Sequence, residues 1–320
     1  MMNSLNPKIS IIGAGNVGMR YAYALTIKGL AREIVIVDLD KERLSGEVMD
    51  LSHTAPYVSP VEIIGGDYSD TAGSDLVVIT AGAKQRAGQS RLELIKANVG
   101  LFKKIIPLLM KYTPEAVFLN VTNPVDLLSY VSYKLSSKLS NEVIGSGTVL
   151  DTARFRNLLA HHVGVDTRNV HAYILGEHGD SEFPVWSKAM VGGVLFKDYC
   201  LKCCRRGEYC NHKEELGKIS KEVKNSAYKI IEKKGETSYG IGLALVRITE
   251  AILNNENAIL PVSSLIQGYL GLKDLYLCLP AVVNGEGLAF ILNIELDQEE
   301  QKLLKNSAKV IKENLVKVGF

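Results

Sequence analysis

The sequence predicts an α/β protein, with an N-terminal doubly wound parallel sheet followed by a C-terminal α+β segment. Three observations carry this. Short apolar runs alternate with helical patterns through the first half of the chain; a glycine-rich turn sits between the first run and the first helix; and the pattern changes near residue 148. Such an alternation builds a parallel sheet, because a parallel strand pair needs a crossover that a helix supplies. In order, residues 9–12, 34–37, 76–79 and 116–119 read as strands buried on both faces, with 61–64 and 143–144 weaker. Helices near 17–29, 42–52, 90–111 and 125–138 separate them. Beyond the change of pattern come a helix over 149–163 and short extended segments from about 170 to 186. Helices near 212–234 and 240–254 follow, then strand-like 259–262 and 277–280. Residues 297–317 close the chain as an amphipathic helix, with Leu303, Leu304, Ala308, Ile311 and Leu315 at roughly helical spacing. No Gly/Ser/Pro linker marks the change, so the boundary between a unit of residues 1–147 and one of 148–320 is expected inside packed structure.

At 320 residues, 47% hydrophobic and 22% charged, the composition is that of an ordinary globular protein. A formal charge of +2 offers no strong attraction to nucleic acid or to an anionic membrane. No apolar run is long enough to span a bilayer, and the N-terminus lacks the charged and apolar blocks of a secretory signal. A cytoplasmic protein is the expectation. Four of the five cysteines, Cys200, Cys203, Cys204 and Cys210, crowd together just before His212. Only one Cys-x2-Cys pair is present, so a surface loop with free thiols is expected rather than a metal site.

The turn reads Gly13-Ala14-Gly15-Asn16-Val17-Gly18, between an apolar strand and a helix, which is the context that gives this motif meaning. Gly13 permits the tight turn, Gly15 lets a pyrophosphate approach the backbone, and Gly18 lets helix and strand pack closely. The start of the helix at Val17 presents free N–H groups and a positive dipole end to phosphate. These are the marks of a Rossmann dinucleotide-binding unit. Asp38, twenty residues after Gly18, ends the second strand, where a carboxylate accepts from a ribose hydroxyl and repels a 2′-phosphate. The cofactor read from this is NAD rather than NADP.

The chemistry is carried by Asp151, Arg154 and His178. Asp151 and Arg154 lie one helical turn apart and share a face of the predicted helix. An arginine fork matches a carboxylate in a planar, bidentate way that lysine cannot. His178 stands in Gly176-Glu177-His178-Gly179-Asp180, where the flanking glycines leave room for a ligand beside the imidazole.

Four runs carry a resemblance that spans nearly the whole chain. They are Gly13–Gly18, Thr122-Asn123-Pro124-Val125-Asp126, the stretch from Gly147 through Asp151 and Arg154 to Arg156, and Gly176–Asp180. In this order they resemble those of the L-lactate dehydrogenases of the lactate/malate dehydrogenase superfamily. The Cys-rich stretch is the clearest departure.

The resemblance implies a reversible exchange between NADH with pyruvate and NAD with L-lactate, in fermentation at the end of glycolysis. His178 is implied as proton donor and acceptor, Asp151 as the group that fixes its tautomer and favours the imidazolium, and Arg154 as the anchor of the substrate carboxylate. Asn123 is implied to bond near the same oxygen, and Thr237 to line the pocket wall. Residues 81–91 resemble a mobile lid, from which Arg91 polarises the carbonyl as charge develops. Gln85 matches the position facing the substrate's variable end. Malate dehydrogenases carry arginine there, so a neutral Gln favours pyruvate, although Arg86 next door keeps the malate reading open. Arg156 and His171 match the paired positions by which bacterial members bind fructose 1,6-bisphosphate as an activator across a subunit interface, and the family suggests a homotetramer. A non-catalytic NAD-binding protein is the alternative from another class.

Overall fold

The structure is a computed structural model that describes residues 6–83, 88, 90–198 and 212–320, with the backbone alone for His212 and Lys213. Its first half contains β1 (Lys8–Ile12), α1 (Asn16–Lys28), β2 (Glu33–Val37), α2 (Lys41–Ser52), β3 (Glu62–Gly66), β4 (Leu76–Ile79), α3 (Arg91–Tyr112), β5 (Val117–Asn120), α4 (Val125–Ser136) and β6 (Val143–Gly145). Then come α5 (Val149–Val163) and five two-residue strands, β7 (Val170–His171), β8 (Ile174–Leu175), β9 (Phe183–Pro184), β10 (Met190–Val191) and β11 (Val194–Leu195). The chain continues through α6 (His212–Lys234), α7 (Tyr239–Leu253), β12 (Ala258–Leu260), β13 (Ser263–Gln267), β14 (Lys273–Cys278), β15 (Ala281–Asn284), β16 (Gly287–Ile291) and α8 (Gln298–Lys317).

Eight strands form the main sheet in the order β14-β13-β6-β5-β4-β1-β2-β3. The six from the first half are parallel, with Ile9 opposite both Ile34 and Leu76, and Phe118 opposite Val77 and Val143. Apolar runs without alternation formed these strands because helices cover both faces. Ile9, Ile11, Ile34 and Ile36 point into a core shared with Tyr21 and Leu25 of α1 and Leu245 and Ile248 of α7. Val35, Val37, Val77 and Ile79 point the other way, onto Phe102 of α3, Leu128 of α4 and Leu304 of α8. The Tyr21 hydroxyl and Thr249 Oγ1, 2.7 Å apart, close the contact between α1 and α7.

The sheet does not stop at residue 148. β13 joins β6 antiparallel at Ser263 opposite Gly145, and β14 extends it. Gly147, at φ +54°, sits so tightly on this addition that a Cβ there would lie 2.5 Å from the Ser263 nitrogen. A third core holds Phe155 and Leu159 of α5 against Val170, Phe196 and, on α6, Ile219 and Val223. Among the described residues, no helix is long and apolar enough to cross a membrane.

Candidate active site

The glycine turn has the shape its sequence demands. Gly13 adopts φ +112°, and a Cβ there would lie 2.7 Å from the Ala81 nitrogen. A Cβ on Gly18 would come within 2.0 Å of the Gly13 carbonyl oxygen, so only glycine lets α1 start this close to β1. Gly15 faces open space, and with Val17 it begins the helix. Asp38 stands at the rim: its Oδ2 accepts from the Ala14 amide at 2.7 Å and its Oδ1 from the Asp40 amide at 3.0 Å. Two carboxylate oxygens have lone pairs to spare for a diol beyond these bonds. A tight turn, an open approach at Gly15 and a fixed carboxylate fit a dinucleotide.

The loop bearing His178 is held from three sides. β8 leads into it, tied to α5 by the Ile174 amide donating to Thr152 Oγ1 at 3.0 Å and by Thr148 Oγ1 donating to the Ile174 carbonyl at 2.6 Å. Gly176 and Cys278 of β14 exchange backbone hydrogen bonds of 3.1 and 2.9 Å. The His178 amide donates to Asp126 Oδ2 at 2.7 Å, while Ser263 Oγ donates to Asp126 Oδ1 at 2.5 Å. The space expected beside Gly176 is not ligand space. A Cβ there would lie 2.5 Å from Ser307 Oγ, so, contrary to the expectation from the flanking glycines, this glycine admits α8 rather than a substrate.

α5 puts Asp151 in its first turn and Arg154 one turn on, as their spacing predicted. His178 Nδ1 lies 2.7 Å from Asp151 Oδ2, and Arg154 Nη1 donates to the other oxygen, Oδ1, at 2.6 Å. One buried carboxylate therefore serves both groups. Burial alone would strip the proton from His178, but the charge and hydrogen bond of Asp151, with Glu182 and Asp126, outweigh it and push the imidazole up to about 9. Burial likewise disfavours the Asp151 anion, yet His178 and Arg154 pull its carboxyl below the ordinary range. Burial pushes Asp126 up, against the hydrogen bonds from Ser263 and the His178 amide.

Arg91 is the first residue of α3, placed there by a capping box in which Ser90 and Glu93 satisfy each other's backbone amides. Its Nη1 lies 2.7 Å from Asp180 Oδ2 and its Nη2 3.7 Å from buried Glu177. Tyr228 of α6 donates to the second Asp180 oxygen at 2.9 Å. Arg91 thus stands beside the His178 loop. Asn123 is exposed and joined to Pro124 by a cis peptide bond. Its carbonyl accepts from Asn98 Nδ2 at 2.8 Å, and Asn98 Oδ1 accepts from the Ala83 amide at 2.7 Å. Thr237 is half-buried in the connection between α6 and α7. Gln85, Arg86 and the cluster Cys200–Cys210 lie outside the described residues.

Arg156 points away from Arg154, as its position in the helix requires. Its Nε donates to the Ala172 carbonyl at 3.0 Å and its guanidinium lies over the Tyr173 ring. That bond brings it alongside exposed His171 on β7. Asp126, Glu182, Asp180 and Asn98 received no role from the sequence. Asp126 and Asp180 lay inside the motif runs, and Asp126 stands in the first turn of its helix.

Residues 7–145 match the lactate/malate dehydrogenase NAD binding domain, and residues 148–319 match the alpha/beta C-terminal domain of the same family. The chain is 51% identical over 310 residues to L-lactate dehydrogenase 1 of Clostridium acetobutylicum, covering 97% of this chain and 98% of that one. It is also 51% identical over 311 residues to the L-lactate dehydrogenase of Acetivibrio thermocellus, covering 97% of each. Among solved structures, a lactate dehydrogenase from a Medee basin deep-sea metagenome library superimposes with a TM-score of 0.93 at 43% identity, over 98% of this chain and 99% of that one. The minor L-lactate dehydrogenase of Enterococcus mundtii does so with a TM-score of 0.94 at 38% identity, over 98% of each. With a fitted dinucleotide turn, an acid-clamped histidine and two family matches that together run from residue 7 to residue 319, the chain belongs to the lactate/malate dehydrogenase family.

Proposed function

We propose that this chain is an NAD-dependent L-lactate dehydrogenase that interconverts pyruvate and L-lactate. The observation that carries this reading is the sharing of Asp151 between His178 and Arg154, at 2.7 and 2.6 Å. When bound, the nicotinamide cofactor supplies or accepts the hydride. His178, held as the imidazolium, donates its Nε2 proton to the keto oxygen in reduction and takes it back in oxidation. Asp151 at Nδ1 fixes which ring nitrogen faces the substrate. Arg154 receives the substrate carboxylate on the part of its fork that Asp151 leaves open. Arg91 stabilises negative charge growing on the oxygen, which requires it to leave Asp180. Asn123 and Thr237 line the same pocket. Gly13, Gly15, Val17, Gly18 and Asp38 hold the cofactor.

The finer readings belong to the same proposal. The halves 1–147 and 148–320 act as cofactor and substrate units, and Gln85 favours pyruvate over oxaloacetate. Arg156 and His171 bind fructose 1,6-bisphosphate in a cytoplasmic homotetramer working in fermentation. The contact of Arg156 with the residue next to His171 supports a joint cationic site. The test is the initial rate of NADH oxidation with pyruvate and with oxaloacetate, each with and without the sugar bisphosphate. A strong pyruvate preference, enhanced by the effector, is expected. Preference for oxaloacetate would assign the chain to the malate branch and point to Arg86, and inactivity with both would overturn the enzyme reading.

Cofactor choice is a separate check. Setting a 2′-phosphate beside the fixed Asp38 carboxylate costs roughly 2–3 kcal/mol, so NADPH should be about 100-fold less efficient than NADH. The gap should narrow in Asp38→Ala. Equal efficiency in the unaltered enzyme would remove Asp38 from the ribose site.

A further inference from the structure

Asp151, His178 and Glu182 each bring a polar atom within 4.8 Å of the others. The side chains of the two acids are 4% and 6% exposed. Both oxygens of Asp151 are accounted for by His178 and Arg154. Glu182 is not accounted for. Its Oε2 lies 4.0 Å from His178 Nδ1, and its carboxyl group takes no hydrogen bond among the described residues. A largely buried carboxyl without a protein donor favours a neighbouring positive charge.

Among the surrounding groups the imidazolium is the strongest such charge, with Lys224 and Arg154 acting more weakly. Arg154 of α5 is bound to Asp151, and Lys224 of α6 donates to the Asp180 carbonyl at 3.2 Å. The Tyr228 hydroxyl, also on α6, is spent on Asp180. Asp126 of α4 also acts on His178, accepting from its amide and from Cys278 of β14 at 3.3 Å.

We propose that Glu182 is a further positioning residue of the reaction, a second buried carboxylate whose charge, with that of Asp151, stabilises the His178 imidazolium before its proton passes to the substrate. This rests on the assignment of His178 as the proton-exchanging group. When His178 loses its proton to the keto oxygen, Glu182 loses the largest of its compensating charges, Lys224 and Arg154 contributing less. Burial with the Asp151 charge pushes Glu182 up to about 8, so its ionised form supports the imidazolium on the alkaline side, between its own titration and that of His178 at about 9, and at lower pH it is neutral. His178 and Glu182 therefore titrate as a pair in two steps rather than as independent groups. The proton that returns His178 to the imidazolium comes from solvent, so the overall reaction is unchanged.

Glu182→Gln keeps the shape and removes the charge. The alkaline limb of kcat/KM for pyruvate should move down by about one pH unit, a tenfold loss on that side. On the acid side, where His178 is protonated in both proteins, the value should stay the same, and Glu182→Asp should restore much of the limb. A limb that coincides with the unaltered enzyme's, or a loss equal at every pH, would overturn the proposal in favour of a packing role. Should the variant fail to fold, NMR of isotope-labelled histidine in the unaltered protein decides, the His178 signal being the one missing from His178→Asn. Two inflections are expected, and a single one overturns the coupling. Absence of pyruvate turnover in the unaltered enzyme would instead sink the lactate reading, while the NMR titration still decides for Glu182.

Discussion

Replacing His178 with asparagine should lower kcat/KM for pyruvate by roughly 10²–10⁴-fold, the usual worth of a positioned general acid, without weakening NADH binding. The pH dependence should identify the group. Reduction needs the imidazolium, so its rate should fall as pH rises through about 9 in the unaltered enzyme, where burial is outweighed by Asp151, Glu182 and Asp126. Oxidation of L-lactate needs the neutral ring, so it should rise through the same window. Both limbs should disappear together in His178→Asn. If either limb survived, the proton would be carried by another group, with Glu182 the nearest candidate at 4.0 Å.

Arg154→Lys should act on binding. The change keeps a charge but gives up the planar fork, and it removes the 2.6 Å bond from Asp151 Oδ1. Truncating a buried, hydrogen-bonded charge pair typically costs 2–5 kcal/mol, so KM for pyruvate should rise by roughly 30-fold to several thousandfold. Steady-state kinetics should place most of the loss in KM, and equilibrium titration should find NADH affinity intact. A normal KM would mean that Arg154 serves Asp151 alone and the substrate carboxylate is held elsewhere. Some loss in kcat is expected as well, since Asp151 freed on one side holds His178 less firmly.

These two residues were legible because their relation is local. Asp151 and Arg154 are one helical turn apart, and α5 spans the residues that the pattern predicted. The central first-half strands β4 and β5 were legible for a similar reason: buried on both faces, they are written as nearly unbroken apolar runs. β13 was not, because it begins Ser263-Ser264 and both serines are buried. Ser263 is there to bond Asp126, a reason that no periodicity expresses. β14 was read only at its end, since it opens with exposed Lys273 and Asp274. Asp126 and Glu182 were not legible because their neighbours are met only in tertiary contact. Asp126 meets the His178 amide across 52 residues of chain. Glu182, between a serine and a phenylalanine, resembles any surface acid until the fold buries it.

The continuation of the sheet through β13 and β14 has a mechanical consequence. A two-unit enzyme is easily pictured as two shells on a hinge, but this one is a single plate. Swinging one half against the other would shear the contact of Ser263 with Gly145 and drive Gly147 into the strand it touches. It would also pull Ser263 off Asp126, and with it the seat of the His178 amide. His178 is thus bolted to the continuous sheet, and a motion that admits substrate without breaking these contacts has to come from the plate's rim.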